Sequence, residues 1–199
     1  MKEENENEKK IKNKEKIVII LSIIFTMIMH ILYRKKKAKS ILPGILSLIT
    51  LKLIIKEPNI IKEPYEKQNK YENIISMYIG HIIGDIFFIY KDKGILFHHI
   101  ITLIGGINSL LNKNLRNISI SLLVSEILPV LTYLKEKSKI GKKINIIRIL
   151  ISICYRIPLI INIMIKTREK LLKTVITSFI SLELYWLFLM TRPYLKTIL

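Results

Sequence analysis

The chain is 199 residues long, half of them hydrophobic and 24% charged, with a mean hydropathy of +0.35. Apolar residues come in blocks and charge falls mostly in the gaps, which excludes an ordinary soluble domain, while only 7 Gly and 6 Pro exclude a collagenous or linker-like chain. The formal charge of +18 sits between apolar runs, where it faces lipid headgroups rather than nucleic acid, and a single cysteine, Cys154, excludes a disulfide framework or a Cys-based zinc site.

Residues 1–16 are charged and poor in apolar side chains, and read as a disordered tail. The remainder, 17–199, reads as one transmembrane domain. A helix needs about 20 mostly apolar residues to cross roughly 30 Å of hydrocarbon. Seven runs approach that length: Ile17–Tyr33, Ile41–Ile55, Ile74–Tyr90, Ile95–Leu111, Ile118–Leu134, Ile144–Ile165 and Thr174–Met190. Ile41–Ile55 is the shortest, so six spans is the alternative count. The first run is followed by Tyr33-Arg34-Lys35-Lys36-Lys37 rather than by small residues, which makes it a signal anchor and not a cleaved signal peptide. Isoleucine dominates the runs, yet the bilayer forces helix because every backbone group must be paired internally. The expected fold is all-α and polytopic. The basic loops at 34–39, 91–93 and 135–143, with the C-terminus, are expected on the cytosolic side.

An ionisable group in hydrocarbon costs about 2.5–3.5 kcal/mol on insertion scales, so each marks a candidate site. His81 and Asp85 stand four residues apart on one face of the third run, where imidazole and carboxylate can meet. His98 and His99 are adjacent in the fourth and point about 100° apart, so both face the bundle only across a wide cavity. Glu126 precedes Pro129 in the fifth, Arg156 precedes Pro158 in the sixth, and Glu183 lies in the seventh. Glu126 and Arg156 are the expected ion pair. His30 reads as an interhelical hydrogen-bond partner, Lys52 and Arg148 as snorkelling cations, and Cys154 as a small packing residue. The histidine pair suits general-base, nucleophilic or polar-ligand chemistry, or a structural role. Metal binding is disfavoured because the pair lacks the i, i+4 spacing that presents two ligands on one helical face.

The stretch 78–160 resembles the TLC domain, shared by ceramide synthases, translocating-chain-associated membrane proteins and lipid-homeostasis proteins. The matching pieces are YIGHIIGDIFFIY (Tyr78–Tyr90), FHHIITLIGG (Phe97–Gly106), SEILPVLTYL (Ser125–Leu134) and YRIPLI (Tyr155–Ile160), in family order. The paired aspartates of ceramide synthases are absent and Glu126 stands in the corresponding span, which is similar to the non-ceramide-synthase branch. His81 occupies a position where an aromatic is common. The resemblance implies six helices forming a barrel around an acyl-chain cavity, in an endoplasmic-reticulum or related membrane. It implies membrane lipids as partners, with no cofactor beyond acyl-CoA as a possible co-substrate.

Three functions follow as expectations. One is lipid handling in membrane acyl or sphingolipid homeostasis. Another is acyl transfer, with His98, His99, Asp85 and Glu126 as catalytic residues and Arg156 and His81 contacting lipid or anion. The last is a transporter or translocation accessory with a charged intramembrane path. The sequence leaves the lipid, its acyl length and any protein partner open.

Overall fold

The computed structural model describes residues 2–32, 35–65, 70–89, 91–137, 139–167 and 170–195, and every regular element among them is helical. Ten α-helices follow in order: α1 (Lys2–Leu32), α2 (Lys35–Lys56), α3 (Asn59–Lys62), α4 (Glu72–Ile89), α5 (Lys93–Leu111), α6 (Arg116–Leu123), α7 (Ile127–Lys137), α8 (Gly141–Ile151), α9 (Ile157–Lys166) and α10 (Lys170–Leu195). Among the described residues, six segments are long and apolar enough to cross a membrane: Asn13–Leu32, Glu72–Ile89, Lys93–Leu111, Lys113–Glu136, Gly141–Lys166 and Lys173–Tyr194. The run Ile41–Ile55 is helical within α2 but is not among the six. Its apolar length of about 22 Å falls short of the roughly 30 Å hydrocarbon thickness.

The burial pattern is that of a bilayer protein. On α1 the residues Ile17, Leu21, Ile24 and Ile28 are exposed, whereas Ser22, Thr26 and His30, one helical turn apart, are buried. An apolar outer face over a polar inner stripe suits lipid outside and protein inside. Two expectations are corrected here. The charged stretch 2–16 continues α1 as helix rather than standing as a disordered tail, since Glu and Lys are good helix formers. Cys154 is exposed rather than packed in the interior.

α1 and α4 form the tightest helix pair. Gly80 and Gly84 make a G-x-x-x-G face on α4 that meets Ile19, Ser22, Ile23 and Thr26 of α1. Small residues let the backbones approach, the usual driving force where lipid removes the hydrophobic one. Thr26 bonds His81 and His30 bonds Asp85. Because the paired numbers rise together on both helices, α1 and α4 run parallel. The later segments pair as antiparallel neighbours: His99 meets Asp85 near one end of α4–α5 while Gly106 meets Ile79 further along. Asn145 meets Met190, and Arg156 meets Glu183, between α8–α9 and α10.

One end of the bundle gathers α3, the start of α6 and the end of α9. Asn117 donates to the Glu63 carbonyl (3.0 Å), Lys166 to the Lys62 carbonyl (3.0 Å), and Arg116 pairs with Glu72. In the connection before α4, Tyr71 adopts φ 76° and donates its hydroxyl to Glu57 (2.7 Å). That hydrogen bond, with Lys70 nearby, holds the exposed Glu57 carboxyl below its usual range.

Two helices are interrupted where they cross the bundle. A 3-10 turn, Val124–Glu126, precedes Pro129, and the Val124 carbonyl accepts from the Ser47 hydroxyl of α2 (2.6 Å). A π-turn, Ser152–Arg156, precedes Pro158. A proline has no N–H and excludes the preceding turn's carbonyl, so both breaks have a covalent cause. Each break ends on a charged residue that points inward.

Candidate functional site

Those inward residues meet in a cavity of about 490 Å³. It is bounded near mid-span by Tyr78, Glu126, Arg156 and Glu183, and reaches the helix ends at Asp92, Lys135 and Glu136. His81, Asp85, His98 and His99 lie on its wall. His81, Asp85, His98, His99, Glu126, Arg156 and Glu183 therefore border one space, although five different segments supply them. The i, i+4 and i, i+1 spacings place pairs on one helix. Only the bundle brings the pairs together.

Asp85 is the hub. One carboxylate oxygen accepts from Nε2 of His30 at 2.5 Å, and the other contacts Nε2 of His99 at 2.9 Å. An ionised carboxylate only accepts, so both imidazoles donate from Nε2 and keep Nδ1 as a lone-pair acceptor when neutral. Neither Nδ1 has a hydrogen-bond partner among the described residues. His30 also stacks on Phe88, with ring centroids 4.3 Å apart. The expected His81–Asp85 contact gives way to a different pairing. His81 Nδ1 lies 3.2 Å from the Thr26 hydroxyl, because α1 slots against the glycine face and occupies the space beside both side chains.

His98 faces a second group. Its Nε2 lies 3.8 Å from Glu126 Oε1, and its ring meets Phe179 and the lone tryptophan, Trp186, edge to face. Its Nδ1 is buried with no partner among the described residues. Both histidines thus border the cavity despite their 100° divergence, because α4, α6–α7 and α10 surround α5 on that side. Arg156 is paired as expected, but its nearer partner is Glu183 at 3.0 Å, with Glu126 at 3.9 Å. The π-turn rotates Arg156 toward α10, which sequence adjacency alone does not reveal. Buried ion pairs break even only with close geometry and further hydrogen bonds, so this triad holds position more than it adds stability.

Three further polar residues take part in the site's contacts: His30, Thr26 and Arg148. Thr26 and His30 share the i, i+4 spacing of His81 and Asp85, and that matched spacing was the available signal. Arg148, read as a snorkelling cation, lines the cavity where it reaches the helix ends. Among the described residues no group of three or more His, Cys, Asp or Glu side chains is arranged to hold a metal ion.

Fold and site together define an all-helical integral membrane protein with an ionisable cavity reaching from mid-span to one end of its bundle. No protein-family model, no curated protein and no solved structure matches this chain.

Proposed function

We propose that the chain is a multi-pass protein of membrane lipid homeostasis, similar to the non-ceramide-synthase branch of TLC-domain proteins. It holds one acyl lipid in its cavity, with the polar end at His98 and His99, in the endoplasmic reticulum. The observation that carries this reading is the gathering of costly intramembrane groups on one hollow: His81, Asp85, His98, His99, Glu126, Arg156 and Glu183. A purely structural polar core would be filled, not hollow.

The reading includes seven spans, six of them in a barrel. α1 and α4 run parallel, so two crossings in the same direction need a return between them. α2 is the described helix in that position, and its 22 residues reach about 33 Å. The cavity mouth at Asp92, Lys135 and Glu136 then lies on the cytosolic side with the basic loops.

The Asp85–His99 pair favours acyl transfer as a second reading. The carboxylate fixes the Nε2–H tautomer, leaving His99 Nδ1 as a base beside the cavity. An acceptor hydroxyl or amine would attack the carbonyl carbon of an acyl thioester and pass its proton to Nδ1. The thiolate would leave and recover that proton. Acyl-CoA would be the co-substrate.

The test compares wild type with the His98→Ala, His99→Ala double variant for abundance, thermal midpoint and co-purifying lipid. A stable double variant that loses a specific acyl lipid supports the site. An unchanged lipid complement refutes it. Incubation with acyl-CoA and a lysolipid or sphingoid base then separates holding from transfer.

A further inference from the structure

Arg148 is held differently from Arg116 and Arg156. Arg116 pairs with Glu72 and Arg156 with Glu183. Arg148 instead donates from Nη1 to the Asn145 side-chain oxygen at 3.1 Å and lies on the cavity wall. Its Nε is buried with no hydrogen-bond partner among the described residues. Asn145 is buried and clamped, its amide donating to the Met190 carbonyl at 3.0 Å and reaching the Tyr194 hydroxyl at 3.4 Å. Tyr194 in turn donates to the Lys142 carbonyl at 3.1 Å. α10 therefore positions the arginine through a neutral amide, and the acidic group acting on it is Glu136 of α7. A guanidinium positioned in this way presents its remaining donors to whatever enters the cavity.

At the mouth itself Lys135 and Arg148 stand against Asp92 and Glu136, and the excess of positive charge lies in the loops beside it. Stretches 91–93 and 135–143 carry seven lysines against Asp92 and Glu136. Lys135 and Arg148 both border the cavity, and Glu136 offsets part of their charge from an exposed position. Eight residues separate Arg148 from Arg156, about 12 Å along a helix. A group held at Arg148 and a second one near the histidines thus fit the two ends of one molecule's polar region.

We propose that Arg148, with Lys135, binds a phosphate monoester carried by the acyl amphiphile that occupies the cavity. This rests on the lipid-holding reading and names the headgroup chemistry. A guanidinium fork matches phosphate oxygens two at a time, and a lysine adds a point charge. The lysine-rich loops 91–93 and 135–143 raise the local concentration of anionic ligands. The same chemistry could be offered by free phosphate, so the test separates the two sources.

Trp186 is the chain's one tryptophan and lines the cavity, so its fluorescence reports entry. The full chain in phosphatidylcholine nanodiscs is titrated with a dibrominated-chain lysophosphatidic acid, and with the matching uncharged monoacylglycerol. The phosphate probe should quench Trp186 and bind about tenfold tighter than the uncharged one, the scale of a charge-assisted hydrogen bond. Arg148→Gln should abolish that preference, Arg148→Lys should restore part of it, and Lys135→Gln should weaken it severalfold. Inorganic phosphate at millimolar concentration should not displace the probe. Displacement by inorganic phosphate alone, equal binding of both probes, or an unaffected Arg148→Gln together with an unaffected Lys135→Gln overturns the proposal while leaving a lipid cavity in place. Absence of quenching by either probe in wild type sinks the lipid-holding reading itself.

Discussion

Replacing Gly80 with alanine should be the most damaging single-methyl change in the chain. The added Cβ would sit 2.4 Å from the Ile19 carbonyl oxygen and 2.6 Å from Ser22 Cβ, whereas ordinary contact begins near 3.4 Å. Both obstacles belong to α1, and one is backbone, so no rotamer change relieves them. α1 must retreat by about 1 Å, and overpacking of this kind costs about 1–3 kcal/mol. The retreat also stretches the Thr26–His81 and His30–Asp85 contacts. Interhelical hydrogen bonds in membranes average about 0.6 kcal/mol each, so the total is about 2–4 kcal/mol. Gly105→Ala is the internal control, because its Cβ would meet nothing within 4 Å. Unfolding in mild detergent, followed by circular dichroism, should show Gly80→Ala well below wild type and Gly105→Ala at or above it. Equal midpoints for the two variants would refute the close α1–α4 approach and the parallel register built on it.

Other predictions follow from the buried charges and the exposed thiol. Arg156→Ala should lose about 3–5 kcal/mol by stranding Glu183, and adding Glu183→Ala should recover part of that; a double variant worse than both singles in the same unfolding assay would refute the pairing. Asp85→Asn leaves one of the two imidazoles without its acceptor and should cost about 1–3 kcal/mol, with His30→Ala less severe in the Asp85→Asn background than alone. Cys154 should react with an apolar maleimide in detergent but not with a charged one in sealed vesicles, since it faces outward at the level of the spans; labelling by the charged reagent would place that face in water.

Much of this architecture was legible from local sequence. The apolar runs fix helices because a bilayer leaves no other way to pair the backbone, and Pro129 and Pro158 mark both helix breaks for reasons carried by one residue each. The inward charges Asp85, Glu126, Arg156 and Glu183 were legible too, since an ion in hydrocarbon must find an interior. What depended on tertiary structure was partnership. Asp85 has His81 on its own face, yet α1 approaches over Gly80 and Gly84 and brings His30 from 55 residues away while Thr26 takes His81. Arg156 has Glu126 in the neighbouring span, yet the π-turn directs it to Glu183. Arg148 has the spacing of a snorkelling cation, and Asn145 with α10 sets it on the cavity wall. Spacing along one helix fixes which side chains share a face, whereas helix approach distances and crossing geometry, set by glycines and broken turns, decide which face meets which.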